Sequence, residues 1–356
     1  MAKSKILGLR VLLLFVSLCL WLCVLLLGIE IYFRYKLYRV GKYNTLVLAD
    51  IRKYAALSEA ASSSLWEVPW YEYKKNVEFK TKIDNQDFQI RMNRYGFRTK
   101  DIAIPKPEGT YRIVCIGGST TVEGLTNDTT YPALLEKKLN TYFNSNRIGV
   151  LNCGISGIGA SHEWQKMPLY LHMEPDMLLE YNLVNDLCLG LLPRWWQKRP
   201  LWKRILTKSL FLADMFPGHL IISKKDAEKD INSYIISSLE AISTAASQHN
   251  VKVVFCSFAS PDIAQLNKEE REYFHYTVHH FWKAKISLRA YSDFVAMYNA
   301  CLEQLCKKHG LQFIPVGKYL SGGSDYFVDI AHLTTKGIEK KADIIFNHLK
   351  ASLRLH

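Results

Sequence analysis

The sequence predicts an α/β fold: a five-stranded parallel sheet covered by helices on both faces, preceded by one membrane-crossing helix. Three observations carry that expectation. From Thr110 onward short apolar runs alternate with helical patterns, the signature of parallel strands joined by helical crossovers. From Val11 to Phe33 the chain is almost wholly apolar, and at ~1.5 Å per residue such a run crosses a hydrocarbon layer of ~30 Å. The 356 residues are ample for a core of this size, in one large domain or two smaller ones.

The elements are expected in the following order. Residues 1–35 form the anchor. The alternative, a cleaved signal peptide, needs a shorter apolar region and a small-x-small cleavage site, whereas this run ends in the aromatic belt Tyr32, Phe33 and Tyr35. Glu30 lies near its end, within reach of the interface. Residues 36–108 form a juxtamembrane region, Ala-rich and helical from Tyr43 to Leu65. Period-two alternation then gives short antiparallel strands at Asn76–Ile83 and Phe88–Met92. Pro105, Pro107 and Gly109 break the chain before the main domain, residues 109–356. Its strands are predicted at Tyr111–Ile116, Ile148–Cys153, Asp176–Asn182, Val251–Ser257 and Leu311–Val316. Its helices are predicted near Tyr131–Leu139, at 161–172, Asp230–His249, Leu288–His309 and Lys336–Leu353. Two insertions, 187–225 and 261–285, interrupt the alternation. No internal repeat or low-complexity tract is visible.

Charge and cysteine usage narrow the function classes. The formal net charge of +13 favours anionic lipid or acidic polymer as a neighbour; no nucleic-acid recognition motif accompanies it, so nucleic acid is not an expected partner. Lys3, Lys5 and Arg10 precede the apolar run and Arg34, Lys36, Arg39 and Lys42 follow it, so loop charge gives no vote on orientation. The main domain is placed outside the cytoplasm, with unpaired cysteines arguing against a strongly oxidising compartment. Of eight cysteines, Cys19 and Cys23 lie in the anchor, Cys115, Cys153 and Cys256 read as small core residues, and Cys301 and Cys306 are too far apart for a redox pair. No metal or other cofactor is expected. His275, His279 and His280 invite a metal reading, but no acidic or cysteine partner is placed to help. Asn127-Asp-Thr129 matches a glycosylation sequon, which chance explains adequately.

Ligands of a parallel sheet bind beyond the carboxyl ends of its strands, and several chemistry-bearing residues fall there. Ser119 follows Gly117-Gly118 at the end of the first predicted strand. By itself this is either a nucleophile on a tight turn or a helix-capping turn; a P-loop is excluded because no Gly-Lys-Ser/Thr follows. Asp329 and His332 share one late loop. An Asp three residues before a His can orient the imidazole and leave its other nitrogen for a serine hydroxyl, or the pair can start a helix. Asp325 is the weaker candidate for the orienting acid.

Taken together these residues resemble the SGNH (GDSL-type) serine hydrolases over about residues 88–350. The resemblance rests on four short blocks in order: Gly117-Gly-Ser-Thr120, Asn152-Cys-Gly-Ile-Ser-Gly157, Leu183-Val-Asn-Asp186, and Asp329-Ile-Ala-His332, with Asn93-Arg-Tyr-Gly-Phe-Arg98 as a lead-in. Gly118 stands where the commonest family form has Asp, a variant associated with membrane-anchored members, and Leu183 stands where the third block has Gly. The resemblance implies a flavodoxin-like three-layer α/β/α fold. It implies Ser119 as nucleophile, His332 as base and Asp329 as its orienting acid. The oxyanion hole would be formed by the Ser119 N–H, the Gly154 N–H and the Asn185 amide, with Asn182 as the fallback for the last. The implied reaction is ester hydrolysis or O-acyl transfer on an acylated glycan or lipid. The insertion tryptophans Trp195, Trp196 and Trp202, among Arg194, Lys198, Arg199, Lys203 and Arg204, are candidates for substrate or membrane contact; the alternative is that they cover the core. A second reading keeps the fold without the chemistry, as an inactive scaffold in an assembly with a membrane-protein partner.

Overall fold

The structure is a computed structural model and describes residues 2–43, 66–67, 72–83, 86–216, 221–281 and 286–353. The helix expected over Tyr43–Leu65 lies outside the described residues beyond Tyr43 itself. Helix α1 (Ala2–Tyr43) is followed by two antiparallel pairs, β1 (Trp66–Glu67) with β2 (Glu72–Tyr73) and β3 (Glu78–Ile83) with β4 (Gln86–Arg91). The central sheet contains β5 (Tyr111–Gly117), β6 (Ile148–Asn152), β7 (Met177–Tyr181), β8 (Lys252–Cys256) and β9 (Gln312–Ile314), all parallel, in the order β6-β5-β7-β8-β9. This is the doubly wound 2-1-3-4-5 order of a flavodoxin-like sheet. β7, the middle strand, is buried along its whole length, which is why these strands read as continuous apolar runs rather than alternating ones.

Helices cover both faces. α2 (Ser119–Val122) is a single turn directly after β5, and α3 (Tyr131–Tyr142) packs with the C-terminal helix on one face. The helix expected over 161–172 is two, α4 (Ala160–Gln165) and a second turn at Met167–His172, because Pro168 sits in the first turn of the second. The helix expected from Asp230 starts earlier, at Lys224, and reaches α5 (Ser237–Gln248) through a wide π-helical turn at Asn232–Ile236. α6 (Leu288–His309) ends on Gly310, whose φ of 64° supplies the left-handed cap. α7 (Thr335–Leu349) starts on Thr334, whose side chain accepts from the Gly337 N–H.

The segment before β5 is part of the same core: Phe88, Ile90, Met92 and Phe97 are buried in it. The first insertion is helical, with turns at Leu192–Gln197, Leu201–Leu206 and Leu210–Met215. α1 is exposed at every residue from Gly8 to Gly28, about 30 Å of helix at about 1.5 Å per residue. This is one helix long and apolar enough to span a membrane. Beyond that point it packs on the domain. The Glu30 carboxylate accepts from Ser209 Oγ (2.7 Å) and from the backbone N–H groups of Leu210 and Phe211. The Arg34 guanidinium donates to the Lys208 carbonyl (2.8 Å), Phe33 packs edge-on against Phe211, and Lys36 pairs with Glu272.

Candidate active site

β5 delivers Gly117 and Gly118 to the carboxyl edge of the sheet, and Ser119 starts α2 there. Gly118 sits at a close approach: a Cβ on it would stand 2.6 Å from Asn185 Nδ2 and 2.9 Å from Asn182 Oδ1, two side-chain ends. An Asp here would need the Asn185 and Asn182 side-chain ends to shift, and glycine leaves them where they are. As the first residue of α2, Ser119 has no intrahelical acceptor for its N–H, and among the described residues no backbone acceptor for it is found.

The loop between β9 and α7 carries the other two groups. The His332 Nε2 lies 2.8 Å from Ser119 Oγ, and His332 Nδ1 lies 3.0 Å from Asp329 Oδ2. The second carboxylate oxygen, Asp329 Oδ1, accepts from the N–H groups of Ala331 and His332, both at 2.7 Å. Asp329 and His332 are buried and Ser119 is half-buried, so the chain of hydrogen bonds opens to solvent only at its serine end. Asp325, the weaker candidate, is exposed and paired with Lys336 at 3.1 Å; it takes no part. Burial raises the Asp329 pKa, but its bond and charge pairing with His332 and the two N–H groups outweigh this and hold it below its ordinary value. Burial pulls His332 down, yet the Asp329 charge and hydrogen bond, with a smaller push from Glu123, leave it above its ordinary value.

Gly154 and Asn185 flank Ser119 from the loops after β6 and β7. A Cβ on Gly154 would meet Thr121 at 2.8 Å, so glycine lets this loop close on α2. Its N–H, however, is turned to Asn152 Oδ1 at 3.2 Å, so in this conformation it points to its own loop. Hydrogen-bond counting separates the two asparagines. Asn182 spends both amide hydrogens, on the Ile158 carbonyl (2.9 Å) and on Glu163 Oε1 (2.7 Å). Asn185 spends one, on the same Ile158 carbonyl (2.9 Å), and keeps one. Leu183, in the place of the third block's glycine, is fully buried; it fills core volume, and Asp186 holds the loop by accepting the Ala160 N–H.

Two buried charged groups, Arg98 of the lead-in and Lys341, which no motif marks, hold this constellation. Arg98 donates to the carbonyls of Val122 (2.6 Å), Gln89 and Gly124, so the lead-in Asn93–Arg98 grips the chain leaving α2. Burial lowers its pKa to about 10. Lys341 of α7 pairs with Glu123 (2.7 Å) and donates to the Thr120 carbonyl (2.6 Å), while Glu123 also accepts the Leu333 N–H (2.9 Å). α2, α7 and the His332 loop are thereby tied at one point.

The tryptophans divide. Trp195 is a correction: it is 1% exposed, donates to Asp230 Oδ2 at 2.7 Å and packs on Phe294, so it contacts neither substrate nor membrane. Trp196 is half-buried with the Arg199 guanidinium over its ring, and Trp202 is exposed. His275 and His279 stack with ring centroids 4.6 Å apart. Among the described residues no group of three His, Cys, Asp or Glu side chains is arranged to hold a metal. The sequon residue Asn127 is engaged with the Arg91 backbone on both sides of its amide.

Ser119, Gly154, Asn185 and the Asp329–His332 pair fall on separate loops at the sheet's carboxyl edge, in the chain order of the four blocks. The fold is a doubly wound α/β sheet of flavodoxin-like strand order. No family model and no curated protein matches the sequence. Solved structures similar to this chain include a lipase/acylhydrolase from Enterococcus faecalis (14% identity, 69% of this chain and 99% of that chain covered, TM-score 0.44). They also include a GDSL-like lipase from Bacteroides thetaiotaomicron (14% identity, 69% and 90% covered, TM-score 0.39), and a psychrotrophic esterase from a Pseudoalteromonas species (14% identity, 68% and 97% covered, TM-score 0.41).

Proposed function

We propose that this chain is a membrane-anchored serine hydrolase acting on ester bonds. The observation that carries the reading is the unbroken relay from Ser119 Oγ through His332 to Asp329, at 2.8 and 3.0 Å. Ser119 Oγ attacks the ester carbonyl as its proton passes to His332 Nε2, and the carbonyl electron pair moves onto oxygen. The Ser119 N–H and the spare Asn185 hydrogen face the developing charge; the Gly154 N–H joins them once it releases Asn152. Collapse breaks the bond to the leaving alcohol, which takes the proton from His332. Water, or the hydroxyl of an acceptor glycan or lipid, then attacks the acyl-serine by the same route and restores Ser119. The first outcome is esterase activity and the second is O-acyl transfer. A domain beside a membrane-crossing helix suits an acylated lipid or glycan at that surface.

A fluorophosphonate probe tests this on the full chain. The wild type is expected to carry one adduct, on Ser119, and Ser119→Ala none. A folded wild type that takes no label overturns the reading and favours a catalytically silent scaffold. Asn185→Ala is expected to lower kcat/KM by about 100–1,000-fold, the usual cost of one oxyanion donor, whereas loss of a merely structural asparagine would lower thermal stability with kcat/KM retained in the folded fraction.

A further inference from the structure

We propose that the helix Leu201–Leu206 of the first insertion lies flat in the membrane interface, as a second contact with the bilayer beside α1. The proposal goes beyond the hydrolase reading and rests only on α1 spanning the membrane. A surface helix normally turns its apolar stripe to the core; this one is reversed. Leu201, Trp202, Ile205 and Leu206 are 69%, 57%, 58% and 36% exposed. At about 100° per residue they share one stripe about 140° wide. Thr207, on the opposite side, is the buried residue, its hydroxyl donating to the Lys203 carbonyl at 2.9 Å. An outward row of this kind is costly in water and suits an apolar phase.

The position of this helix names the occupant. The stretch of α1 that is exposed at every residue ends at Gly28, about 30 Å of helix after Gly8, with Ile31 and Tyr32 exposed just beyond it. The first groups it then meets are Ser209, Leu210 and Phe211, bound to Glu30, and the Lys208 carbonyl, bound to Arg34. Those residues follow the reversed helix directly in the chain. Its stripe is therefore held at the level where α1 leaves the hydrocarbon. Met215 and Phe216, at the far end of the Glu30-capped turn, are also exposed. Lys203, with its ammonium 5.5 Å from the Trp202 ring, and Arg204 flank the stripe, where anionic head groups would meet them.

The test uses the full chain, one copy per nanodisc of phosphatidylcholine and phosphatidylglycerol. Cys19 and Cys23 are replaced by Ser; the other cysteines are buried. An environment-sensitive fluorophore is placed by Trp202→Cys, by Ile205→Cys, and by Tyr142→Cys at an exposed site on α3. Lipids carrying a nitroxide near the head group are expected to quench the labels at 202 and 205 several-fold more than the label at 142. Equal quenching at the three sites overturns the proposal. So does a label at 202 that is shielded from water but not quenched, which means that other residues of this chain cover it. In a separate Cys23→Ser protein that keeps Cys19, a label on Cys19 quenched by deep nitroxides reports that α1 is in the bilayer.

Discussion

Asp329→Asn is expected to reduce kcat by about 10⁴-fold while leaving the fold intact. Asp329 Oδ1 is fixed by two backbone N–H groups, so Oδ2 is the atom presented to His332 Nδ1. An asparagine that keeps its oxygen on those two N–H groups must turn its NH₂ toward Nδ1. The imidazole then places its proton on Nε2, the atom 2.8 Å from Ser119 Oγ, and can no longer accept the serine proton. The pH profile carries a second signature. Asp329 holds the His332 pKa above its ordinary value of 6.5, so wild-type activity should rise with pH along a limb centred above 6.5. In Asp329→Asn the residual limb should move toward acid, because burial, which lowers the imidazole, is no longer offset. A variant that loses activity with its limb unmoved would show that Asp329 does not act through His332.

Stability and activity are expected to peak at different pH for the same pair. His332 has a raised folded pKa, so its contribution is complete below its unfolded value of ~6.5 and is lost as pH rises through the folded value. Asp329 has a lowered folded pKa, so its contribution is complete above its unfolded value of ~3.9 and is lost as pH falls through the folded one. Both are complete between those unfolded values, where His332 is charged and cannot act as a base.

The sheet was readable because buried parallel strands are apolar on both faces, so Tyr111–Ile116 and Val251–Ser257 stand out without any partner being known. The four blocks were readable because loops at the carboxyl edge keep their chemistry in short runs. What escaped was decided across the sequence. The burial of Trp195 depends on Asp230 and Phe294, and nothing near Trp195 marks it as different from Trp202. The close packing that favours Gly118 comes from two asparagines at the end of another strand. Arg98 was visible in the lead-in motif, but its acceptors are carbonyls, which a sequence does not display. Asn185 was already the sequence's choice over Asn182, but the spare hydrogen that sets it apart depends on Ile158 and Glu163, which the motif does not display. Lys341 did leave a signal: it falls on the stripe Ile338, Ala342 and Ile345 of α7, where an unpartnered lysine has no place.

That lysine supports the last of the large effects. Lys341→Met is expected to destabilise the protein by about 3–5 kcal/mol, because it leaves Glu123 buried without its counter-charge. Lys341 is fully buried, with Tyr131 and Tyr181 rings 4.4 and 4.5 Å from its ammonium. Methionine fills most of the volume, so the loss is electrostatic rather than a cavity. Adding Glu123→Gln should recover most of it: glutamine still accepts the Leu333 N–H and carries no charge to be neutralised, and removing both members of a buried pair is often near neutral. The catalytic readout separates positioning from simple unfolding. Glu123 raises the His332 pKa and Lys341 lowers it. In Lys341→Met the Glu123 charge acts alone, and the activity limb should move to higher pH in the fraction that stays folded. In the double variant neither charge remains, and the limb should return toward its wild-type place. Thermal unfolding and kcat/KM against pH, measured on the same three proteins, check both halves. A double variant as unstable as the single one would mean that the Thr120 carbonyl, bound by Lys341 at 2.6 Å, rather than the Glu123 charge, is what holds α2 beneath the serine.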